Sequence, residues 1–155
     1  MDCPSIANDY QVRHAQNLLS SFRRFVGRPL IAENLTPREA AIDLYKAPFV
    51  VVSHDTQSDP ILNYGNETAL KVWETDWQHF TKLPSRMTAE PMHRAARQRI
   101  FEIVERDGFI DGYCGVRISS TGRRFEINDT VVWRVVDEND ALIGEAATFA
   151  DVKYL

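Results

Sequence analysis

Three consecutive β-strand segments, joined by two tight polar turns, occupy residues 109–152 of the chain. The first turn, at residues 120–123, contains Gly122, which can adopt the positive φ that a tight hairpin turn requires. The second turn, at residues 137–140, is made of polar residues whose side chains can hydrogen-bond to the local backbone. Because connections this short force neighbouring strands to run antiparallel, the segment predicts a three-stranded meander.

The pattern of the chain before this meander predicts several helices and two further strands. Apolar residues recur at helical spacing between Ala15 and Val26, and residues 36–39 carry the capping-box pattern of a second helix. Residues 49–52 and 61–64 are short β-rich runs, and Asn66 is placed to cap the helix that follows them. This order predicts an α+β domain with one five-stranded antiparallel sheet, helices on one face and an N-terminal helical extension.

The predicted sheet needs cover on its second face as well, because its fourth strand is apolar on both sides at residues 131–133. That cover can come from the N-terminal helix or from a second subunit. We therefore expect residues 1–30 to serve packing or dimerisation, residues 31–155 to form the sheet domain, and the chain to form a homodimer. The residues expected near the dimer interface are Leu18, Leu19, Phe22, Phe25 and Trp133.

Charge and composition argue against several classes of partner and location. A net charge of −4 gives no electrostatic reason to expect a nucleic acid or a membrane as partner, and the arginines of residues 94–106 are expected on a solvated helix face. The sequence shows no secretory signal and no apolar run of membrane-spanning length. Two distant cysteines, Cys3 and Cys114, suggest a reducing compartment, so we expect a cytoplasmic protein in which Cys114 is a buried thiol.

One short run combines residue types used in catalysis. Ser53, His54 and Asp55 are a nucleophile, a base and an acid in sequence, but adjacent residues of an extended chain point in alternate directions. We expect them to shape the loop after the first strand. An enzyme that uses His54 with Asp55 or Asp59 is the least favoured hypothesis, and no second histidine lies at the spacing of a metal site.

The order of the elements resembles the PAS fold, and residues 61–70 are similar to the PAS stretch in which an asparagine and an alanine follow the second strand. A closer resemblance is to the MEKHLA domain, a PAS-like family found in small bacterial proteins and in plant homeodomain-leucine zipper proteins. It covers most of the chain from about residue 30 onward. The stretches that carry it are Val52–Thr56, Leu83–Arg86, Ala89–Pro91, Gly115–Phe125 and Ala147–Phe149.

The resemblance implies a non-catalytic sensor or ligand-binding module that acts through another protein, such as a partner effector. A small molecule would bind between the sheet and its helices, next to aromatic and apolar side chains. The alternative is a pure dimerisation or interaction module with a solid core and no ligand. The residues expected to line a pocket are Trp73, Phe80, Met87, Ile103, Tyr113, Phe125 and Phe149.

The sequence indicates no particular cofactor. The cysteine motif of the flavin-binding photosensor PAS domains is absent. His93, at the start of the long helix, is followed by a charged turn that favours a solvated histidine over a haem ligand. Neither haem nor flavin is supported, so the identity of any cofactor is left open.

Overall fold

A computed structural model describes the backbone of residues 1–155 and the side chains of all of them except residues 91–94. In chain order the helices and strands are α1 (Val12–Val26), α2 (Pro37–Lys46), β1 (Val50–His54), β2 (Leu62–Gly65), α3 (Glu67–Val72), α4 (Trp77–Phe80), α5 (Pro91–Asp107), β3 (Phe109–Ile118), β4 (Arg124–Val136), β5 (Leu142–Phe149) and β6 (Asp151–Tyr154). Two 3-10 helices, Ile6–Gln11 and Ser85–Thr88, precede α1 and α5.

The strands form one sheet in which every pairing is antiparallel. Its strand order is β2-β1-β5-β4-β3, and the short β6 pairs with β4. Because β5 pairs with residues 131–136 of β4 and β6 pairs with residues 125–128, β6 continues the course of β5 along the same strand. The predicted five-stranded antiparallel sheet and its β3–β4–β5 meander are confirmed, with β6 as a short addition.

Local backbone chemistry fixes the turns and the helix starts. Gly122 has φ 86°, and the Asp137 carboxylate accepts hydrogen bonds from the backbone N–H groups of Asn139 and Ala141. At the start of α2, the Thr36 hydroxyl and the Glu39 carboxylate accept hydrogen bonds from each other's backbone N–H groups, as the capping-box pattern predicts.

Helix α1 covers one face of the sheet, which we call the α1 face. Leu18 and Phe22 are buried against Trp133 of β4, whose indole N–H donates to the Leu18 carbonyl at 3.2 Å. The Phe22 and Trp133 rings meet edge to face with centroids 4.8 Å apart. The Ser21 hydroxyl also bonds to the Val136 backbone at the end of β4. The second face of the sheet is therefore covered by the chain's own N-terminal helix.

The opposite side of the sheet, which we call the cavity face, packs under α3, α4 and α5. Its core joins Trp73 of α3 and Phe80 of α4 to Phe149 of β5. Strand β4 is irregular at Asp129, where φ is 51° and the register with β3 shifts.

The structure bears on the predicted burial of Cys114 and on the presence of membrane-spanning helices. Cys114 is exposed, contrary to its prediction as a buried thiol, because it lies on the edge strand β3, where the pairing with β4 is irregular. Among the residues that the structure describes, no helix has the length and apolarity needed to span a bilayer.

Candidate ligand-binding site

A narrow cavity of about 60 Å³ lies between the cavity face of the sheet and α5. Its floor includes Val52, Ala147 and Val132, which are paired in register across β1, β5 and β4. Ile100 and Phe101 of α5 contribute to the opposite wall. The volume suits a few water molecules and is well below the roughly 300 Å³ at which pockets for drug-sized ligands begin.

One end of the cavity is bordered by a polar row, which consists of His54, Glu145 and Arg134. His54 is the register partner of Glu145 between β1 and β5, and Glu145 is the register partner of Arg134 between β5 and β4. Residues directly opposite on neighbouring strands share one face of a sheet, so the three side chains project on the same side.

Gly144 allows β1 and β5, the strands that carry His54 and Glu145, to approach each other closely. A Cβ atom at Gly144 would lie 1.8 Å from the His54 carbonyl oxygen, which is far inside van der Waals contact. Glycine is therefore required here for β1 and β5 to approach at the position from which the His54 side chain leaves the backbone.

The hydrogen bonding of His54 defines what its imidazole can offer. Nδ1 lies 2.7 Å from the Asp55 carbonyl oxygen, which can only accept, so Nδ1 carries the proton and Nε2 has a free lone pair. Burial lowers the pKa of His54 and favours the neutral ring; the hydrogen bond to the Asp55 carbonyl opposes this shift, and the nearby Arg97 charge acts in the same direction as burial. The residue is 9% exposed, and its Nε2 atom is buried with no hydrogen-bond partner among the described residues.

Glu145 lies beside this acceptor without bonding to it. Its Oε2 atom is 4.0 Å from His54 Nε2, too far for a hydrogen bond, and has no other partner among the described residues. Burial, together with repulsion from Glu105, raises the pKa of Glu145 to about 7, although Arg97 and Arg134 act in the opposite direction. The carboxyl group is therefore partly protonated near neutral pH.

The polar row also faces an open recess of about 470 Å³ on the protein surface. The recess is bordered by the β1–β2 loop and by α5, and it shares His54, Glu145, Arg97 and Phe101 with the lining of the cavity. The row thus stands at the mouth of the cavity, between an apolar interior and solvent.

Further polar groups lie in the cavity wall away from the mouth. The indole N–H of Trp73 and the hydroxyl of Thr130 are buried and have no hydrogen-bond partner among the described residues. Arg117, which is 8% exposed, donates to the Tyr113 hydroxyl at 3.2 Å and to the Val116 carbonyl at 2.9 Å. Unpaired buried donors and acceptors cost free energy unless water or a ligand pairs with them.

The structure brings part of the predicted pocket together. Trp73, Phe80, Tyr113 and Phe149 line the cavity, whereas Phe125 packs against Trp73 with ring centroids 5.4 Å apart and stays outside the lining. Met87 is 42% exposed, and Ile103 is half-buried on α5; neither lines the cavity. Whether any of these residues binds a ligand stays a prediction.

Arg97 lines the cavity, although its position among the arginines of α5 predicted a solvated helix face. It is 7% exposed, and its guanidinium lies 4.5 Å from the centroid of the Phe101 ring and donates to the Ser85 hydroxyl. Arg97, Ile100, Phe101 and Val104 recur at helical spacing, so the inner stripe of α5 includes an arginine. Because this stripe contains a charged residue, apolar periodicity alone does not indicate that Arg97 is buried.

The residues expected at a dimer interface are distributed over the α1 face. Leu18, Phe22 and Trp133 are buried within the single chain, while Leu19 and Phe25 are half-buried. The homodimer itself stays a prediction, as does the division of the chain at residue 30.

The Ser53-His54-Asp55 run does not converge. The Ser53 hydroxyl bonds to His14 of α1 at 3.0 Å on the other face of the sheet. The Asp55 carboxylate accepts from the backbone N–H groups of Gln57 and Ile61 and so shapes the loop, as expected. Asp59 pairs with Arg86 at 3.1 Å. His93, weighed as a haem ligand, lies outside the described side chains.

Several solved structures share this fold at low sequence identity. A PAS domain from Colwellia psychrerythraea superposes with a TM-score of 0.62 at 15% identity, covering 74% of this chain and 92% of that one. A variant of the fungal photoreceptor VVD has a TM-score of 0.60 at 14% identity, covering 86% and 93%. An RNA-binding light-oxygen-voltage receptor has a TM-score of 0.61 at 14% identity, covering 79% and 34%. Identities this low establish the PAS-like fold alone.

Sequence comparison identifies the family. The homeobox-leucine zipper protein ATHB-9 of Arabidopsis thaliana is 22% identical over 136 residues, which are 88% of this chain and 15% of that protein. The chain thus spans a small part of that relative's length. The MEKHLA domain family matches residues 12–154, nearly the whole chain. The chain therefore belongs to the MEKHLA domain family and has a PAS-like fold.

Proposed function

We propose that the chain is a non-catalytic sensor module that binds a small molecule between its sheet and α5. The observation that carries this proposal is the cavity itself, whose wall combines apolar side chains with buried polar atoms that have no partner among the described residues. A packed core gains nothing from such atoms, whereas a ligand can pair with them. Membership of the MEKHLA family and the PAS-like fold support a sensor role.

In this proposal the output passes through association with another protein, in the cytoplasm. In the related homeobox-leucine zipper protein the matching region is 15% of the length, so there the domain is one part of a larger protein. The two free cysteines support a reducing compartment. The bound state would shift the sheet and α1 relative to the empty state, and a partner with different affinity for the two states would respond.

A second copy of the chain is one partner to consider. Because α1 presents Leu18 and Phe22 to its own sheet, a homodimer would use another surface or exchange α1 between copies. Light scattering over a wide concentration range tests this proposal, and a chain that stays monomeric at the highest concentration would reject it.

The ligand is tested by measuring what the purified chain carries. An absorption spectrum and a native mass should reveal a bound species, and denaturing mass spectrometry should release and identify it. If the native mass equals that of the bare polypeptide, small molecules should still raise the thermal midpoint by binding the folded state.

Ala147→Leu provides a matched test of the location. Ala147 lies on the cavity floor between Val52 and Val132, so a leucine there fills the space that a ligand would use. Bound species should fall at least tenfold, while Ala141→Leu, an exposed change outside the cavity lining, should leave binding unchanged. If nothing binds the wild type and the Ala147→Leu variant is more stable than the wild type, the chain is an interaction module with an incompletely packed core.

A further inference from the structure

The mouth of the cavity carries two neighbouring acceptors without a donor. His54 Nε2 has a lone pair, because the Asp55 carbonyl takes the Nδ1 proton, and Glu145 Oε2 lies 4.0 Å away. Both atoms are buried and unpartnered among the described residues, as is the Nε donor of Arg134 in the same row. When Glu145 is ionised, as it mostly is at pH 8, a group placed between the two acceptors has to supply a hydrogen.

The charged side chains around the mouth of the cavity include both signs. Arg97 and Arg134 are positive, and Glu145 and Glu105 are negative when ionised; all four border the recess. An anionic group would meet the two carboxylates, and a cationic group would meet the two guanidiniums. Desolvation adds a further cost for any charged group that enters the buried row. The arrangement favours a neutral donor such as a hydroxyl or a ring N–H.

The surroundings of the polar row favour a ligand in which that donor is attached to an apolar group. The Phe101 ring lies edge to face against His54 with centroids 5.1 Å apart, and the cavity floor behind it is formed by Val52, Ala147 and Val132. The cavity alone is too small for an aromatic ring. It shares its mouth with the recess of about 470 Å³, so a molecule can occupy the boundary between the two.

Resting on the sensor function proposed above, we propose that the ligand is a small, neutral molecule with an apolar, planar body and a hydroxyl or ring N–H that donates to His54 Nε2. Glu145 accepts from the same donor or from a second one. The histidine thus selects for a hydrogen-bond donor, and the apolar walls select for the body that carries it.

Phenol and anisole test this selection, because they share a ring and differ in the donor. Binding to the full chain is measured by ligand-observed nuclear magnetic resonance at pH 8, where phenol is neutral. We expect phenol to bind about fivefold to tenfold more tightly than anisole, which corresponds to one hydrogen bond. Benzoate and benzylammonium, the anionic and cationic counterparts, should bind more weakly than phenol.

His54→Leu removes the acceptor and keeps an apolar side chain. It should abolish the preference for phenol over anisole, whereas His79→Leu, which changes an exposed histidine in α4, should retain it. In the wild type, the ring nitrogen chemical shifts should place the proton of His54 on Nδ1, and phenol but not anisole should move the Nε2 signal. This second measurement does not depend on the folding of the variant.

The outcomes separate the two proposals. If phenol and anisole bind equally at the cavity, or if Nε2 carries the proton, the donor selection is wrong while the sensor proposal stands. If none of the probes binds, the native mass is that of the bare chain and Ala147→Leu is more stable than the wild type, both proposals fail together.

Discussion

Burial has different consequences for two histidines, His54 of β1 and His14 of α1. His54 stands at the mouth of the cavity, where its free nitrogen can serve a ligand. His14 of α1 instead bonds to the Ser53 hydroxyl and packs against the Tyr64 ring at 5.5 Å between centroids. Burial lowers the pKa of His14 to about 4, so it stays neutral in the folded chain well below pH 6.

His14 should make the chain sensitive to acid. In the unfolded chain this imidazole binds a proton near pH 6.5, whereas in the folded chain it does so near pH 4. The stability that His14 contributes is present above pH 6.5 and is lost as the pH falls towards 4, by at most about 3 kcal/mol.

His14→Gln keeps a polar group beside Ser53 and removes this titration. Urea unfolding of both chains between pH 4 and 8 should show the wild type losing more stability on acidification than the variant. Parallel profiles of stability against pH for the wild type and His14→Gln would mean that His14 titrates alike in the folded and unfolded states.

At the scale of elements, Asn66 connects three of them. Its side-chain oxygen accepts from the backbone N–H groups of Ala69 in α3 and Val51 in β1. Its amide nitrogen donates to the carbonyls of Leu44, at the end of α2, and Phe49. The residue is fully buried at 0% exposure, so water does not replace these bonds. The sequence predicted the helix cap, but it could not reveal the bonds to α2 and β1, which depend on tertiary packing.

Asn66→Ala should therefore cost more than the loss of a cap. We expect the free energy of unfolding to fall by about 3 kcal/mol or more, because buried backbone groups lose their partners. Asp76→Ala, which removes the cap of α4 at an exposed position, should cost less, because water can take the place of the lost carboxylate. Equal costs in urea titrations of the two variants would show that Asn66 acts as a cap only.

The whole molecule is a sheet covered on both faces by its own helices. Because α1 closes one face with Leu18 and Phe22, the chain does not need a second copy to bury Trp133. The other face keeps a cavity under α5, with a polar mouth formed by residues from β1, β5 and β4.

Phe22→Ala distinguishes a core role from an interface role. Phe22 is 2% exposed within the single chain, so its loss should lower the free energy of unfolding by about 3 to 5 kcal/mol. The urea midpoint should fall by the same amount at low and high protein concentration. Phe25→Ala, at a half-buried position, should cost less. A loss that shrinks on dilution would place Phe22 at an interface between copies, because association would then stabilise the wild type more than the variant at high concentration.

Several features of the chain were determined by local sequence. Gly122 and Asp137 predicted the two turns, Thr36 and Glu39 predicted the start of α2, and the alternation of β3 to β5 predicted the meander. Each depends on the conformational preference or side-chain hydrogen bonding of residues only a few positions apart.

The tertiary structure alone decided which faces met and which polar groups were buried. His54, Glu145 and Arg134 are far apart in sequence and become neighbours only through the pairing of β1, β5 and β4. Arg97 and Cys114 show the same limit, since helix periodicity does not determine how an arginine is covered and strand propensity does not reveal an edge. Burial is a property of the assembled layers, and a sequence pattern only indicates which side chains favour it.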